Sequence, residues 1–386
     1  MGRFLNRFWL TLLCAAVFST AAFALDIVAE GEAVIENEDV TLARKLALRR
    51  AMSSAIEQSG GMLQATTIRT TDQLKEHTSL SSRNQVLGTR VVSEHIEKGK
   101  LKLIAEVKLA GPGQPLACAE RPLRKAVITA FPVQLPEQLA SGEYMNWPTD
   151  TPQHLARAFN ASNRLLAAAA PNRIPFITLE GFPEPDRTAG IPKLVNWAQA
   201  ERAQYVVAGV FRDFGTTRKA FILHERQLIV EAFIYDGISG ELIARKEFTR
   251  VLLGTVRLPK TIVFGGKDFS ESVLGGAYLD LMAELARWAE ATLGCMPFST
   301  RVIRADAKQI YVDAGSDSGL EPGMELVLTR HKSEAVSTAA GEIQIGETKP
   351  LAGVIIKSVT PRYSVAEITA RKNPPKAKVG DVLYGL

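Results

Sequence analysis

The sequence predicts a multi-domain α+β protein, and three observations carry that prediction. A glycine- and proline-rich break, "AGPGQPLACAERP" at 110–122, has no hydrophobic period. Strand and helix patterns alternate beyond it, as in a βαβ sheet. Helical patterns then stop after Pro297, and short alternating runs continue to the end. The expected division is a signal peptide at 1–24, an N-terminal α+β domain at 25–110, a middle α/β domain at 111–297 and a C-terminal domain at 298–386. That last domain reads as a small all-β barrel or sandwich. At 386 residues and 46% hydrophobic, the chain holds core material for two or three domains.

Arg3 and Arg7 precede the apolar run Phe8–Phe18 and the small-residue pattern Ala22-Phe23-Ala24, which reads as a cleaved secretory signal. Cys14 follows Leu13, and lipid modification needs a small residue there. No later apolar run approaches the roughly 20 residues that cross a bilayer as a helix. The expected location is the periplasm.

In the first domain, "LDIVAEGEAVIE" alternates as a strand. Ala43, Ala47, Ala51 and Ala55 then recur at i+4 within a helix over 39–58, and Gly60 stands where a left-handed cap is expected. So narrow a stripe suits close contact with a sheet, and an intramolecular contact is expected rather than one with another protein. Two alternating runs, Val86–Ile96 and Leu101–Leu109, flank the turn Glu97-Lys98-Gly99-Lys100 and read as a hairpin.

The middle domain is expected to begin with a strand, "RKAVITAF". A helix follows over "TPQHLARAFNASNRLLAAAA", with Thr151 as its N-cap and Pro152 in first position. Next come a strand, "IPFITL", a helix, "IPKLVNWAQAERA", and a strand, "QYVVAGVFRDF". "QLIVEAFIYD" and "ELIARKEF" form a hairpin around Gly237–Gly240, and a helix over 273–293 closes the domain. The third domain carries strands near 301–304, 308–313, 324–330, 351–359 and 363–369, with a polar hairpin loop at 331–342.

Chemistry is harder to find. "YVDAGSDSGLEPGMELVLTR", 311–330, fails the serine-elbow, calcium-loop and phosphate-loop spacings, so its glycines read as turn formers. His77, His95, His154, His224 and His331 are isolated, with no second metal ligand at helical or strand spacing. "FGGKDFSESVLGGAY", 264–278, has its lysine in the wrong place for a nucleotide loop and reads as a flexible approach to the last helix. Glu38-Asp39 and Glu321 with Glu325 are acids of the kind ordinary at helix starts and strand tips. No catalytic residue, metal site or cofactor is expected. The net charge of +5 is scattered among acids, which argues against nucleic acid. Cys118 and Cys295 remain after the signal is removed, and in an oxidising compartment they are most simply one disulfide.

The combination "EGEAVIENEDVTLARKLALRRAMSSAI", "CAERPLRKAVITAFPV" and "IYVDAGSDSGLEPGMELVL" resembles the flagellar assembly protein T family along the whole mature chain. The middle domain is also similar to the N-terminal domain of the translocation protein TolB, through "WAQAERAQYVVAGVFRDF" and "LIVEAFIYDGISGELIARKEF". The first resemblance implies a non-enzymatic component of the H ring of the flagellar basal body. It also implies self-association into a ring, contact with the P and L rings, and help in placing the stator-anchoring T ring. The second implies an alternative, a periplasmic binding or translocation module of envelope maintenance.

Overall fold

The computed structural model describes residues 25–59, 86–109, 122–138, 144–175, 192–218, 224–254, 256–294, 296–306, 309–338 and 341–385. They fall into three units.

The first unit consists of β1 (Leu25–Val34), α1 (Val40–Gln58), β2 (Val86–Glu97) and β3 (Lys100–Leu109), with the strands in antiparallel order β1-β3-β2. Period-two alternation sends Ala29 and Ala33 of β1, with Leu101, Leu103, Ala105, Val107 and Leu109 of β3, to one face. The four alanines of α1 are buried against that face, so the stripe is intramolecular packing. Small residues set the separation: a methyl group on Gly31 would overlap the Ala47 carbonyl oxygen. Between β2 and β3, Lys98 (φ +50) and Gly99 (φ +75) supply the two left-handed residues a tight hairpin needs. Ser59 caps α1, while the expected cap at Gly60 lies outside the described residues.

In the middle unit β4 (Arg124–Thr129) pairs in parallel with β5 (Leu165–Ala170) and β6 (Tyr205–Asp213). β6 and the short β7 (Thr216–Arg218) line one edge of β8 (His224–Asp236), and β9 (Leu242–Leu253) lines the other. α2 (Trp147–Ser162) and α5 (Val273–Gly294) cover one face of the sheet, and α3 (Pro192–Ala200) covers the other. Alternate strand residues serve the two sides: Ala126, Ile128 and Val207 meet α2 and α5, whereas Val127, Val206 and Ala208 meet Leu194 and Ala198 of α3. Trp147 centres the larger core, its ring 5.0 Å from those of Phe214 and Tyr278.

Several expectations need correction here. The helix expected over 151–170 starts earlier, at Trp147, and ends at Ser162, because Asn163 turns left-handed (φ +55). "LLAAAA" is then a strand: parallel pairing to β4 satisfies its backbone and outweighs alanine's helix propensity. The Asn160 side chain bonds both the N–H (2.8 Å) and the carbonyl (2.9 Å) of Ala167, as a further strand would. Thr151 is not a cap but sits buried inside α2, its hydroxyl accepting from Tyr278 (3.1 Å). Pro152 is tolerated within the helix because the Pro148 carbonyl it leaves unpaired accepts from the Phe131 N–H (3.0 Å). Of "IPFITL", residues 174–175 are not strand and the rest lies outside the described residues. The stretch at 264–278 holds a short helix, α4 (Lys267–Glu271).

The third unit is a closed barrel of β10 (Ser299–Asp306), β11 (Gln309–Val312), β12 (Glu325–Thr338), β13 (Gly341–Val359), β14 (Ser364–Ile368) and β15 (Val382–Tyr384). They run in the order β10-β11-β14-β13-β12-β15. The expected loop at 331–342 is instead paired strand: β12 and β13 stay in register from Arg330↔Lys349 to Thr338↔Gly341. Backbone pairing between the two strands outweighs the polar composition of the stretch.

The 311–330 stretch is a turn. Ser316–Ser318 form one turn of 3-10 helix, and Gly319 (φ +82) and Gly323 (φ +89) are left-handed before β12 begins. Gly319→Val or Gly323→Val is expected to destabilise the barrel by about 1–2 kcal/mol or more, since a β-branched residue is strained there. Asp317→Ala, whose side chain is exposed, should leave the urea midpoint unchanged. Equal midpoints for all three variants would remove the turn reading.

Candidate functional site

The polar residues of the described chain converge at two seams between units. The first joins the N-terminal unit to the barrel. Asn37 (φ +52) and Glu38 (φ +56) bend the chain between β1 and α1 and deliver Asp39 to the helix start. Asp39 is 2% exposed. Its Oδ1 accepts from the Leu42 N–H (2.9 Å), capping α1, and from the Thr369 hydroxyl (2.7 Å); Oδ2 accepts from the Gly353 N–H (2.7 Å). One carboxylate thus fixes both a helix terminus and a barrel wall.

Around it, the Asn37 carbonyl accepts from the N–H groups of Arg371 (3.2 Å) and Lys372 (3.1 Å), and Lys372 pairs with Glu38 (2.6 Å). Arg44 spans Glu94 (2.7 Å) and Glu325 (3.4 Å). Burial pushes the neighbouring Lys45 ammonium down, against the pull of Glu325. Thr41 lies so close to Gly353 that a Cβ there would come within 2.8 Å of it.

The second seam joins the middle unit to the barrel. Arg301 of β10 donates to the carbonyls of Ala203 (3.2 Å) and Gly237 (2.6 Å), and burial pushes its guanidinium down. Gln204 donates to the Ser299 carbonyl at the start of the barrel, while Tyr205, through the Pro297 carbonyl (2.8 Å), and Arg124, through that of Met296 (2.8 Å), hold the end of the middle unit that leads into it. The Leu123 N–H reaches the Ser318 carbonyl (2.7 Å), so the turn at 316–318 also serves this seam.

Beside these bonds lies a cleft of about 560 Å³ lined by Lys125, Arg202, Thr300, Asp313 and Arg362, among others. Asp313 pairs with Arg202 (3.3 Å); burial raises its carboxyl, against the opposing pull of Arg202, Lys125 and Arg301. The cleft adjoins the N-terminal ends of β4, β5 and β6. Open α/β sheets bind ligands at the opposite, C-terminal ends, so the cleft lies at the seam and away from the end where such sheets hold ligands.

The residues weighed in the sequence do not come together. His95 lies exposed on β2 and His224 opens β8. His154, in α2, packs against Phe264 and Tyr278, and burial lowers its pKa. His331 Nδ1 lies 3.1 Å from the Thr348 hydroxyl. Among the described residues no three His, Cys, Asp or Glu side chains are grouped to hold a metal, and no helix is long and apolar enough to cross a membrane. His77, Cys118 and Cys295 lie outside the described residues. In the sequence Asp39 reads only as an acid of the kind ordinary at a helix start, and Arg301 was missed; nothing local signalled Gly353 or Thr369.

Comparison with known proteins gives two family matches in chain order. Residues 26–110 match the model of the flagellar assembly protein T N-terminal domain, and residues 116–263 match that of its middle domain. A search of curated proteins returned no match. Among solved structures, the PelC dodecamer of Paraburkholderia phytofirmans is 13% identical over 46% of this chain and 92% of its own, with a TM-score of 0.27. A hypothetical protein of Chlamydia trachomatis is 17% identical over 44% and 98%, with a TM-score of 0.28. Scores this low carry no argument about function. The two family models together span well over half of the sequence, and the chain belongs to the flagellar assembly protein T family.

Proposed function

We propose that this protein is an exported, non-enzymatic component of the H ring. In this reading it self-associates around the outer rings of the flagellar basal body and helps to place the T ring. The observation that carries the reading is the family match across two successive units, 26–110 and 116–263. The seams support it, because their buried polar groups lock units together, as a scaffold requires. The domains are 25–110, 111–297 and 298–386, after removal of residues 1–24 as a signal peptide in the periplasm. The experiment is co-purification: tagged protein should fractionate with detergent-extracted basal bodies and the P- and L-ring proteins. Recovery with Tol–Pal envelope proteins instead would favour the translocation-module reading.

Cys118 and Cys295 form one disulfide in this account. Arg124 supports it by donating to both Pro122 (3.0 Å) and Met296 (2.8 Å), which brings together the chain just beyond each cysteine. Non-reducing peptide mapping should recover the two in one fragment, and Cys118→Ser should cost about 2–5 kcal/mol of middle-unit stability. Two free thiols in protein taken from the periplasm would remove the staple.

A further inference from the structure

Six of the sixteen exposed large apolar residues among those described lie on two strands of one sheet. Leu25, Val28 and Val34 belong to β1, and Val91, Val92 and Ile96 to β2; all are between 41% and 62% exposed. The middle strand, β3, contributes none. In the order β1-β3-β2, β1 and β2 each pair only with β3, so among the described residues no strand covers the other edge of either. An open edge presents a row of unpaired N–H and C=O groups, and monomeric proteins blunt such rows with charges, lysine above all, with proline or with bulges, of which β1 has none and β2 two. Neither strand contains lysine or proline.

We propose that neighbouring copies of this chain join edge to edge, β2 of one beside β1 of the next, so that the three-stranded sheets continue from copy to copy. The inference rests on the ring reading above and supplies its contact. A second copy fits because each chain carries both halves of the joint: two open edges of comparable length, 10 and 12 residues. Both strands run antiparallel to β3 and hence parallel to one another. A rotation that carries one copy to the next therefore sets β2 against a parallel β1. Such a contact uses two different surfaces, leaves a free edge at each end, and closes into a ring when the rotation returns on itself.

Register and charge narrow the contact. β1 pairs with β3 through ten successive residues without a bulge, whereas β2 is irregular at Val86/Gly88 and Val91/Ser93, which leaves Ser93–Glu97 as its longest regular run toward the hairpin. Pairing is centred there. On the sheet face away from α1, β1 carries Asp26, Glu30 and Glu32, and β2 carries Arg90, His95 and Glu97, so Arg90 is the guanidinium that the joint can set beside the acids of β1.

The test uses the full-length exported protein with cysteines on the outer face: Val28→Cys alone, Ser93→Cys or His95→Cys alone, and each pair combined. Mild oxidation and non-reducing electrophoresis should give a ladder of reductant-sensitive multimers for at least one combined variant, and monomers for every single variant. Dimers from the single variants at the same yield would overturn the proposal, since each edge would then pair with itself. The same samples, scored for presence in purified basal bodies, separate the two ideas. Ring-associated protein without a ladder overturns edge pairing alone; protein absent from basal bodies overturns the ring reading, and a ladder there would still uphold the edge contact.

Discussion

Ala47→Glu is expected to abolish the folded N-terminal unit. Ala47 is fully buried at the centre of the alanine stripe, and its backbone meets β1 where Gly31 leaves no room for a methyl group. Among the described residues the core around it is apolar, and burying a carboxylate uncompensated costs several kcal/mol. Crowding adds about 1–3 kcal/mol, because no neighbour can yield volume. Together these rival the roughly 5–15 kcal/mol by which a domain is stable. Soluble protein should fall sharply, and the urea transition of the N-terminal unit should vanish. A folded mutant that fails only to assemble would place the stripe at an interface between molecules and contradict the packing described here.

Asp39→Ala should have the next largest effect. It removes an N-cap, worth about 1 kcal/mol, and leaves the buried Gly353 N–H and the Thr369 hydroxyl without their acceptor, at about 1–3 kcal/mol each. Because the Thr369 hydroxyl is only half-buried and can turn to water, the expected loss is about 3–5 kcal/mol, with faster amide exchange at Gly353 as the local sign. Asp39→Asn should fall between, since Oδ1 still accepts from Leu42 and Thr369 while an NH₂ group opposes the Gly353 N–H. Wild-type stability and exchange in Asp39→Ala would show that the first seam is not held by this carboxylate.

What was legible in the sequence was what local periodicity encodes. The i+4 alanines announced both the helix and its buried face, and alternation with Gly99 announced the hairpin. "LLAAAA" misled because alanine favours helices, and only the parallel neighbour β4, some forty residues earlier in the chain, makes it a strand. The polar tract at 331–342 misled for the opposite reason, as solubility resembles a loop when the pairing partner is unseen. The seams were the least legible. Asp39 could be read as a cap from its place before a helix, yet its bonds to Gly353 and Thr369 cross most of the chain. Arg301 bonds backbone carbonyls, which leave no trace in residue type.

Electron microscopy of basal bodies purified from a strain lacking this protein tests the central claim most directly. The account predicts hook–basal bodies that lack the outer collar around the P and L rings, with impaired swimming, and restoration of both by the wild-type chain. An intact collar with normal swimming in the deletion strain would contradict it.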